Sequence, residues 1–558
     1  MVRPRPGARP SARQAQRGVR AGDGGDLPAA ARSDRGPSRA GCPPADVAAG
    51  AREGARRRPQ HAGRPHLSSQ RRVVVVGGGL AGITAALDCA AAGARVTLVE
   101  VRRRLGGAAY SFEREGLQMD NGQHVFLRCC LAYRGLLARL GSDAHVTVQP
   151  RLEIPVLKPG APTVRLRRDG LPAPLHLAGS LLRYPHLSPP ERLGAARAAI
   201  ALMRLSPERA RPDDQTFGEW LARHGQGPKA LAALWDLIAL PTLNLPAAQA
   251  SLELSAFVFR TGLLSGADAG DIGFHVATLG QTIGEPAMRA LAAAGVELRL
   301  GWRAERVQRT AAGFEVQGQG GRAASDAGGE IDGEDSAREA LAGRLADGLS
   351  AEGVIVAVPH TRAASLLERL VPDLSRVSEL GSSPIVNLHV VYDRPVCEEP
   401  FAAGVGTPVQ YLFDRSVAAG APAGSQYLAI SLSGAKREMG MSVDALRELY
   451  LPALQRLLPR ARHARVECFL ATREHAATFR AAPGVQALRP GARTALAGLV
   501  LAGAWTGTGW PATLEGAVLS GHSAAEAALG ALDVDPAPAG AHDAAGGGAP
   551  FIAAGGWT

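Results

Sequence analysis

The stretch RRVVVVGGGLAGITAALDCAAAGARVTLVE, residues 71–100, limits the fold more than any other part of the 558-residue chain. Val73 to Val76 are consecutive β-branched residues without polar alternation, the pattern of a parallel strand covered on both faces. Gly77, Gly79 and Gly82 follow as G-x-G-x-x-G. From Leu80 to Ala92 the residues are helix formers with Ile83, Leu87 and Ala90 on one face, and Gly93 is placed to stop that helix. Val96 to Val99 reads as a second strand, closed by Glu100. The glycines have distinct tasks in such a unit. Gly77 permits the tight turn, Gly79 lets a pyrophosphate approach the backbone, and Gly82 lets helix and strand pack closely. Free N–H groups at the helix start, around Leu80 and Ala81, then face phosphate oxygens, while Glu100 is placed to accept ribose hydroxyls. A glycine turn alone would suit many βαβ units. Strand, helix, strand and acid in register predict a bound dinucleotide.

The residues beyond the acid bear on which dinucleotide. VRRRLGGAAYSF sets basic residues and Leu-Gly-Gly directly after Glu100. This resembles the second signature of FAD enzymes in the amine oxidase and phytoene desaturase superfamily. The resemblance implies FAD rather than NAD, with Arg102 near the adenosine half, Gly106 and Gly107 close to the cofactor, and a further contact at Val307. The chain departs from that pattern at one place. The family usually has an arginine directly after the glycine pair, near the pyrophosphate, and here Ala108 stands. Phosphate charge must then be met by backbone N–H groups or by another basic residue.

The second strong signal is LVLAGAWTGTGWPATLEGAVLSGHSAAEAAL, residues 499–529. Val500 and Leu501 lie on an apolar strand that ends at Gly503. A glycine-rich loop with Trp505 and Trp510 leads through Pro511 into a helix starting near Thr513, with Glu515, Gly516 and Ala517 in its first turn. That helix start reads as pointing at the flavin pyrimidine ring, where its partial positive charge stabilises the N1–C2=O edge as it becomes anionic on reduction. Gly516, Ser520 and Ala524 recur every four residues as a small face for close packing. The alternative is a plain core strand, loop and helix.

The formal charge of +11 invites a nucleic-acid reading, so its location matters. Residues 1–70 hold fourteen arginines against five acids, which leaves the rest of the chain close to neutral. Lysine occurs only at Lys158, Lys229 and Lys436 among 62 basic residues, which fits the codon bias of a GC-rich genome better than a phosphate-binding surface. No nucleic-acid partner is expected. The N-terminal 70 residues lack apolar periodicity and cannot bury enough surface to offset their ordering entropy. They also lack the apolar centre of a signal peptide, and read as a disordered arm or a start placed too far upstream. The six cysteines form no C-x-x-C pair, and Cys129 and Cys130 are adjacent, so reduced thiols without a metal are expected in a cytoplasmic protein. No run has the length and apolarity of a membrane span, which leaves a soluble or peripheral protein on the inner face of the membrane.

These patterns predict an α/β architecture: a discontinuous Rossmann-like FAD-binding domain with a second, mixed-sheet substrate domain and a helical insertion. The FAD domain is assigned to residues 71–150, 275–375 and 460–530, and the substrate domain to 151–274 and 376–459. Residues 151–274 read as mainly helical. Residues 1–70, 318–350 and 531–558 read as disordered on composition. PIVNLHVVYDRPV and SQYLAISLSG suggest long strands of the second sheet. The Asn121-Gly122 turn is expected to deliver His124 near the cofactor, ahead of a helix.

The interior phrases DNGQHVFLRCC, LPAPLHLAGSLLRY, LWDLIALPTLNLP, ASLELSAFVFRTGLL and AGAWTGTGWPATLEGAVLSG together resemble the hydroxysqualene dehydroxylases of bacterial hopanoid synthesis, over roughly residues 71–530. That resemblance implies FAD-dependent removal of a hydroxyl from an isoprenoid lipid, giving squalene and water, with an electron donor that the motifs do not name. Such a substrate has almost no polar handle, so the apolar insertion is a candidate lining, with a cavity expected against residues 384–393. Asp120 and His124 are the candidates for the acid or its relay, although an Asp in DNGQ also caps turns and a lone His also serves as a core residue. Redox direction is not written in the binding motifs. A phytoene-type desaturase, an amine oxidase, or a prenyl-binding protein of the Rab GDP dissociation inhibitor type stay open as alternatives. Since no apolar face is lost with the N-terminal segment, deleting residues 1–68 is expected to leave soluble yield and bound flavin unchanged, checked by the absorbance ratio of purified protein.

Overall fold

The valine run becomes the strand Arg72–Val76, the middle strand of a five-stranded parallel sheet. Its neighbours are Arg95–Glu100 on one side and Gly353–Val356 on the other, with Glu297–Leu300 and Leu499–Leu501 at the edges. The structure is a computed structural model that describes residues 71–205, 214–320 and 347–532. The N-terminal 70 residues, those after 532 and the middle of the acidic 318–350 segment lie outside the described residues.

The absence of polar alternation in the valine run has a direct cause. Val73 and Val75 point into one apolar core, shared with Ile83 and Leu87 of the helix Leu80–Ala91 and Val518 of the helix Leu514–Ala531. Val74 and Val76 point into a second core with Trp302, Val307, Phe314 and Val316. Those residues belong to a three-stranded antiparallel sheet, Trp302–Thr310, Gly313–Gly320 and Asp347–Ala351, laid over the other face. Burying each valine contributes about 1.5–3 kcal/mol, so both faces of the strand hold its place. The structure corrects the expected disorder of 318–350 at both ends of that segment, where residues 318–320 and 347–350 form strands. These strands pair from Phe314 opposite Ala351 to Gly318 opposite Asp347.

A seven-stranded mixed sheet forms the second lobe, in the order Val466–Thr478, Ser383–Tyr392, Gln426–Ser433, Tyr411–Asp414, Phe401–Gly404, Glu153–Leu157 and Val164–Arg167. Two expected boundaries shift here. Residues 466–478, expected in the FAD domain, pair along Ser383–Tyr392 as an edge strand of the second sheet. Residues 153–167, assigned to a helical insertion, supply two strands instead. The remainder of the insertion is helical, with Pro189–Arg204, Phe217–Arg223, Asp236–Leu243 and Leu252–Phe259 as its main helices. Its apolar side packs mostly on the strands Glu153–Leu157, Phe401–Gly404 and Tyr411–Asp414 through Tyr184, Leu187, Ala233 and Leu237. It meets Ser383–Tyr392 at a paired contact, where Asn244 donates to the Ser383 carbonyl and Ser383 Oγ donates to the Asn244 carbonyl.

The helix Leu514–Ala531 lies along Leu80–Ala91, and the contact depends on glycine. A Cβ on Gly521 would sit 2.4 Å from the Ala81 carbonyl oxygen and 2.7 Å from Thr84 Cβ. Gly521→Val must push the two helices apart and is expected to cost about 1–3 kcal/mol, read as a lower Tm in a thermal melt.

Candidate cofactor site and active site

The first glycine turn combines strain that only glycine accepts with one open approach. Gly77 has φ +113°, and a Cβ there would lie 2.3 Å from the Ala357 carbonyl oxygen. A Cβ on Gly82 would lie 1.9 Å from the Gly77 carbonyl oxygen, so this glycine sets the close approach of helix to strand. Gly79 differs, since its Cβ would meet only Gly107 Cα, at an ordinary 3.7 Å. Its missing side chain is not required by the packing of the protein itself. Leu80 and Ala81 are buried in the first turn of the helix, whose N-cap Gly79 offers no side chain.

Glu100 is buried at the end of the second strand. Its Oε2 accepts the Gly78 N–H at 2.7 Å and its Oε1 accepts the Arg102 N–H at 2.9 Å. Each carboxylate oxygen keeps a second lone pair for a hydroxyl. The second glycine pair lies directly on the first, because the Gly106 N–H donates to the Gly78 carbonyl at 2.9 Å and a Gly107 Cβ would come within 2.8 Å of Gly79 Cα. Arg102 is exposed, with its guanidinium 5.6 Å from the Tyr110 ring. Arg104, a residue sequence reasoning passed over, stacks on the same ring at 3.6 Å and donates through Nη1 to the Gly107 carbonyl. Its Nη2 is buried without a partner, and desolvation followed by the nearby Arg102 charge lowers its pKa. A buried cationic nitrogen whose N–H donors have no acceptor, beside two glycine turns, is suited to a phosphate oxygen, and it offers the charge that Ala108 withholds.

The C-terminal loop is held from behind. Gly503 has φ +136°, and its N–H donates to Ser520 Oγ at 2.8 Å. Trp505 is buried and donates from Nε1 to the Val358 carbonyl at 2.9 Å. Arg489, also unread in the sequence, is buried and directs its guanidinium at the carbonyls of Ala504, Trp505 and Thr506 and at Gln486. Burial pushes its pKa down to about 10, so it stays charged at neutral pH and clamps three consecutive carbonyls. Thr513 caps the final helix by accepting the Gly516 N–H, and a Cβ on Gly516 would lie 2.7 Å from the Pro511 carbonyl.

Glu515 turns away from this loop. It accepts the N–H groups of Ala132 and Tyr133 and so caps the helix Leu131–Leu140, while burial raises its pKa. Ala517, half-buried, packs beside the first helix, and Val307 lies on the second core under the valine run.

The turn at residues 120–122 gathers most of the remaining polar groups. Asp120 is buried and accepts from Ser111 Oγ at 2.6 Å, the Leu279 N–H at 2.9 Å and Arg415 Nη2 at 2.9 Å. The Asn121 side chain accepts the Tyr110 N–H and donates to the Ala108 carbonyl and Glu474. His124 is half-buried, with Nδ1 3.1 Å from the Gly122 carbonyl. A carbonyl can only accept, so Nδ1 carries the proton and Nε2 is the free lone pair. Behind it, His275 donates from Nδ1 to the His124 carbonyl and accepts the Tyr133 hydroxyl at Nε2, and burial drives its pKa down to about 3. The structure thus brings Gly77, Gly79, Gly82, Glu100, Gly106 and Gly107 into one cradle. Asp120 and His124 stand on a separate, adjoining turn.

These residues fit FAD: glycine turns for the pyrophosphate, Glu100 for the ribose, Arg104 for phosphate charge, and a clamped loop at a helix start for the flavin end. Gly79→Val is expected to fold, because the protein itself leaves room there, yet to purify colourless. Arg104→Leu is expected to lower flavin content sharply, with only a small fall in the Tm of the flavin-free protein from its lost contacts to Tyr110 and Gly107. Full flavin absorbance in Gly79→Val would remove the pyrophosphate from this turn.

Comparison with known proteins agrees with this geometry. A family profile described as flavin containing amine oxidoreductase matches residues 80–529. The chain is 30% identical over 468 residues to hydroxysqualene dehydroxylase from Rhodopseudomonas palustris, covering 82% of this chain and 98% of that protein. It is 23% identical over 504 residues to a probable zeta-carotene desaturase from Synechococcus elongatus, again covering 82% and 98%. Among solved structures, the cyclohexylamine oxidase from Brevibacterium oxydans shares the fold with a TM-score of 0.60 at 18% identity, over 83% of this chain and all of that one. The chain is a member of the flavin containing amine oxidoreductase family, with an α/β fold built to hold FAD.

Proposed function

We propose that this flavoprotein removes the hydroxyl of hydroxysqualene reductively, yielding squalene and water. The observation that carries the reading is the near end-to-end likeness to a hydroxysqualene dehydroxylase, 98% of whose length is matched. FAD, once bound and reduced, supplies the hydride that replaces the hydroxyl. The chain's own residues supply binding, dryness and the proton.

Binding of a C30 hydrocarbon must come from buried alkyl surface, at about 0.8 kcal/mol per CH₂. The insertion brings apolar side chains to the cofactor loop, where the Phe257 ring meets Trp510 edge-on at 5.1 Å. Insertion and loop therefore share a wall, which favours a dry site. Dryness matters because water would recapture the allylic cation left when the hydroxyl departs.

The two acid candidates take different parts. Every oxygen of Asp120 is engaged, so it anchors Arg415 and the turn. His124 has a free Nε2 that can take a proton and pass it to the departing hydroxyl. Loss of solvation lowers its pKa, which makes the protonated ring a stronger acid but populates it only at lower pH.

Turnover is thus expected to rise from about pH 8 to about pH 6, and His124→Gln to lose that rise and fall at least about 10²-fold while keeping its flavin spectrum. Asp120→Asn should instead lower the Tm. The reaction itself is tested by incubating reduced protein with hydroxysqualene without oxygen and weighing the product. Absence of squalene, with flavin reduced by phytoene or an amine instead, would replace this reading with a desaturase or an amine oxidase.

A further inference from the structure

Half of the large apolar side chains that stand exposed among the described residues lie between residues 171 and 203: Leu171, Leu175, Leu182, Leu193, Ile200 and Met203. Leu182 is the most exposed of them, at 68%. The helix Pro189–Arg204 buries Gly194, Ala195, Ala198 and Leu202 against the rest of the insertion. Its opposite side carries Leu193, Arg197, Ile200 and Arg204 at helical spacing, with Met203 alongside, all exposed. A surface helix of a water-soluble protein normally places only polar residues there. Here leucine and isoleucine alternate with arginine along one line.

Charge along residues 171–204 is one-sided. Glu191 is the only acid from residue 171 to 204, and its carboxylate is engaged by the Ser188 N–H and hydroxyl in the helix cap. Arg192 is tied to the carbonyls of Leu182 and Leu187. Arg183, Arg197 and Arg204 make no hydrogen bond or ion pair among the described residues. Beside them, Arg197, Ile200 and Arg204 flank an open groove of about 460 Å³ that Trp220 and His224 line from the neighbouring helix.

We infer that this face docks on a lipid bilayer surface rich in anionic headgroups, with Arg183, Arg197 and Arg204 on the phosphates and Leu182, Leu193, Ile200 and Met203 in the acyl boundary. Exposed apolar residues interleaved with unpaired cations are what an interfacial helix needs. Charge complementarity selects this occupant over two others. The arginine-rich N-terminal segment carries the same sign, and a second copy related by a two-fold axis would set these arginines against each other. No helix among the described residues is long and apolar enough to cross a membrane, so the contact lies along the surface. Docking explains how a lipid-soluble substrate reaches the insertion, and to that extent rests on the reaction proposed above. The test needs no substrate, so either can fail without the other.

The full flavin-loaded chain is mixed with vesicles of phosphatidylcholine alone, or with about one third phosphatidylglycerol, and amide hydrogen exchange is followed along residues 178–204. Exchange there is expected to slow at least about threefold with the anionic vesicles only, and to recover in about 0.5 M salt. Arg197→Glu/Arg204→Glu and Leu193→Ser/Ile200→Ser should each lose that protection with flavin spectrum and Tm unchanged. Vesicle binding without protection of this segment, as attachment through the N-terminal arginines would give, would overturn the proposal. So would protection retained in both variants, or protection in the absence of vesicles that rises with protein concentration, the mark of a second copy.

Discussion

The buried polar turn at residues 120–122 ties the two lobes together through hydrogen bonds on both sides. Asp120 ties it to Arg415, Ser111 and the backbone at Leu279, and the Asn121 carbonyl accepts from both Asn387 and Thr472 of the second sheet. The hydrogen bonds behind it have a fixed direction. Thr472 has one hydroxyl proton, given to Asn121, so it accepts from His389 Nε2, and His389 Nδ1 accepts the Tyr427 hydroxyl at 2.6 Å. Burial holds His389 down to about 4, so the ring is neutral and the chain of donors is unambiguous at neutral pH. Buried polar groups of this kind add little net stability but are costly to leave unmatched. A different relative placement of the sheets would leave these groups unmatched.

That fixed placement lets the cofactor cradle be built from remote pieces. One glycine turn follows the first strand, a second lies on it, and the loop at residues 503–509 arrives from the far end of the chain. Arg489 and Ser520 set that loop from the protein side, leaving its other side for a ligand. The glycines divide accordingly. Gly77, Gly82 and Gly521 are demanded by contacts inside the protein, whereas Gly79 leaves space that the protein does not use.

What was legible in the sequence is what depends on neighbours in the chain. The unit at residues 71–100 could be read nearly to the residue because period, turn and cap are local. The strand Glu153–Leu157 was hidden by Pro155, which ordinarily argues against an internal strand. Val466–Thr478 was hidden because its partly exposed, charged residues never alternate cleanly with apolar ones. The site was harder still. Arg104 and Arg489 are unremarkable letters in an arginine-rich chain, and what singles them out is burial against backbone carbonyls that only the folded loops bring to them. Glu515 shows the converse: its position in the first turn of the last helix suggested the flavin, while its carboxylate serves a helix nearly four hundred residues earlier.

The packing of Leu514–Ala531 on Leu80–Ala91 also sets a timetable for biosynthesis. A ribosome adding about 5–20 residues per second needs roughly 20–90 s to travel from one helix to the other. Throughout that interval the parallel sheet lacks its edge strand Leu499–Leu501 and the first helix lacks the helix that packs along it. The nascent chain must therefore keep the apolar surface of its first helix from other contacts until residues 514–531 have been made. A cradle that needs the loop at residues 503–509 is complete only after that loop has been made, which sets flavin capture late in synthesis.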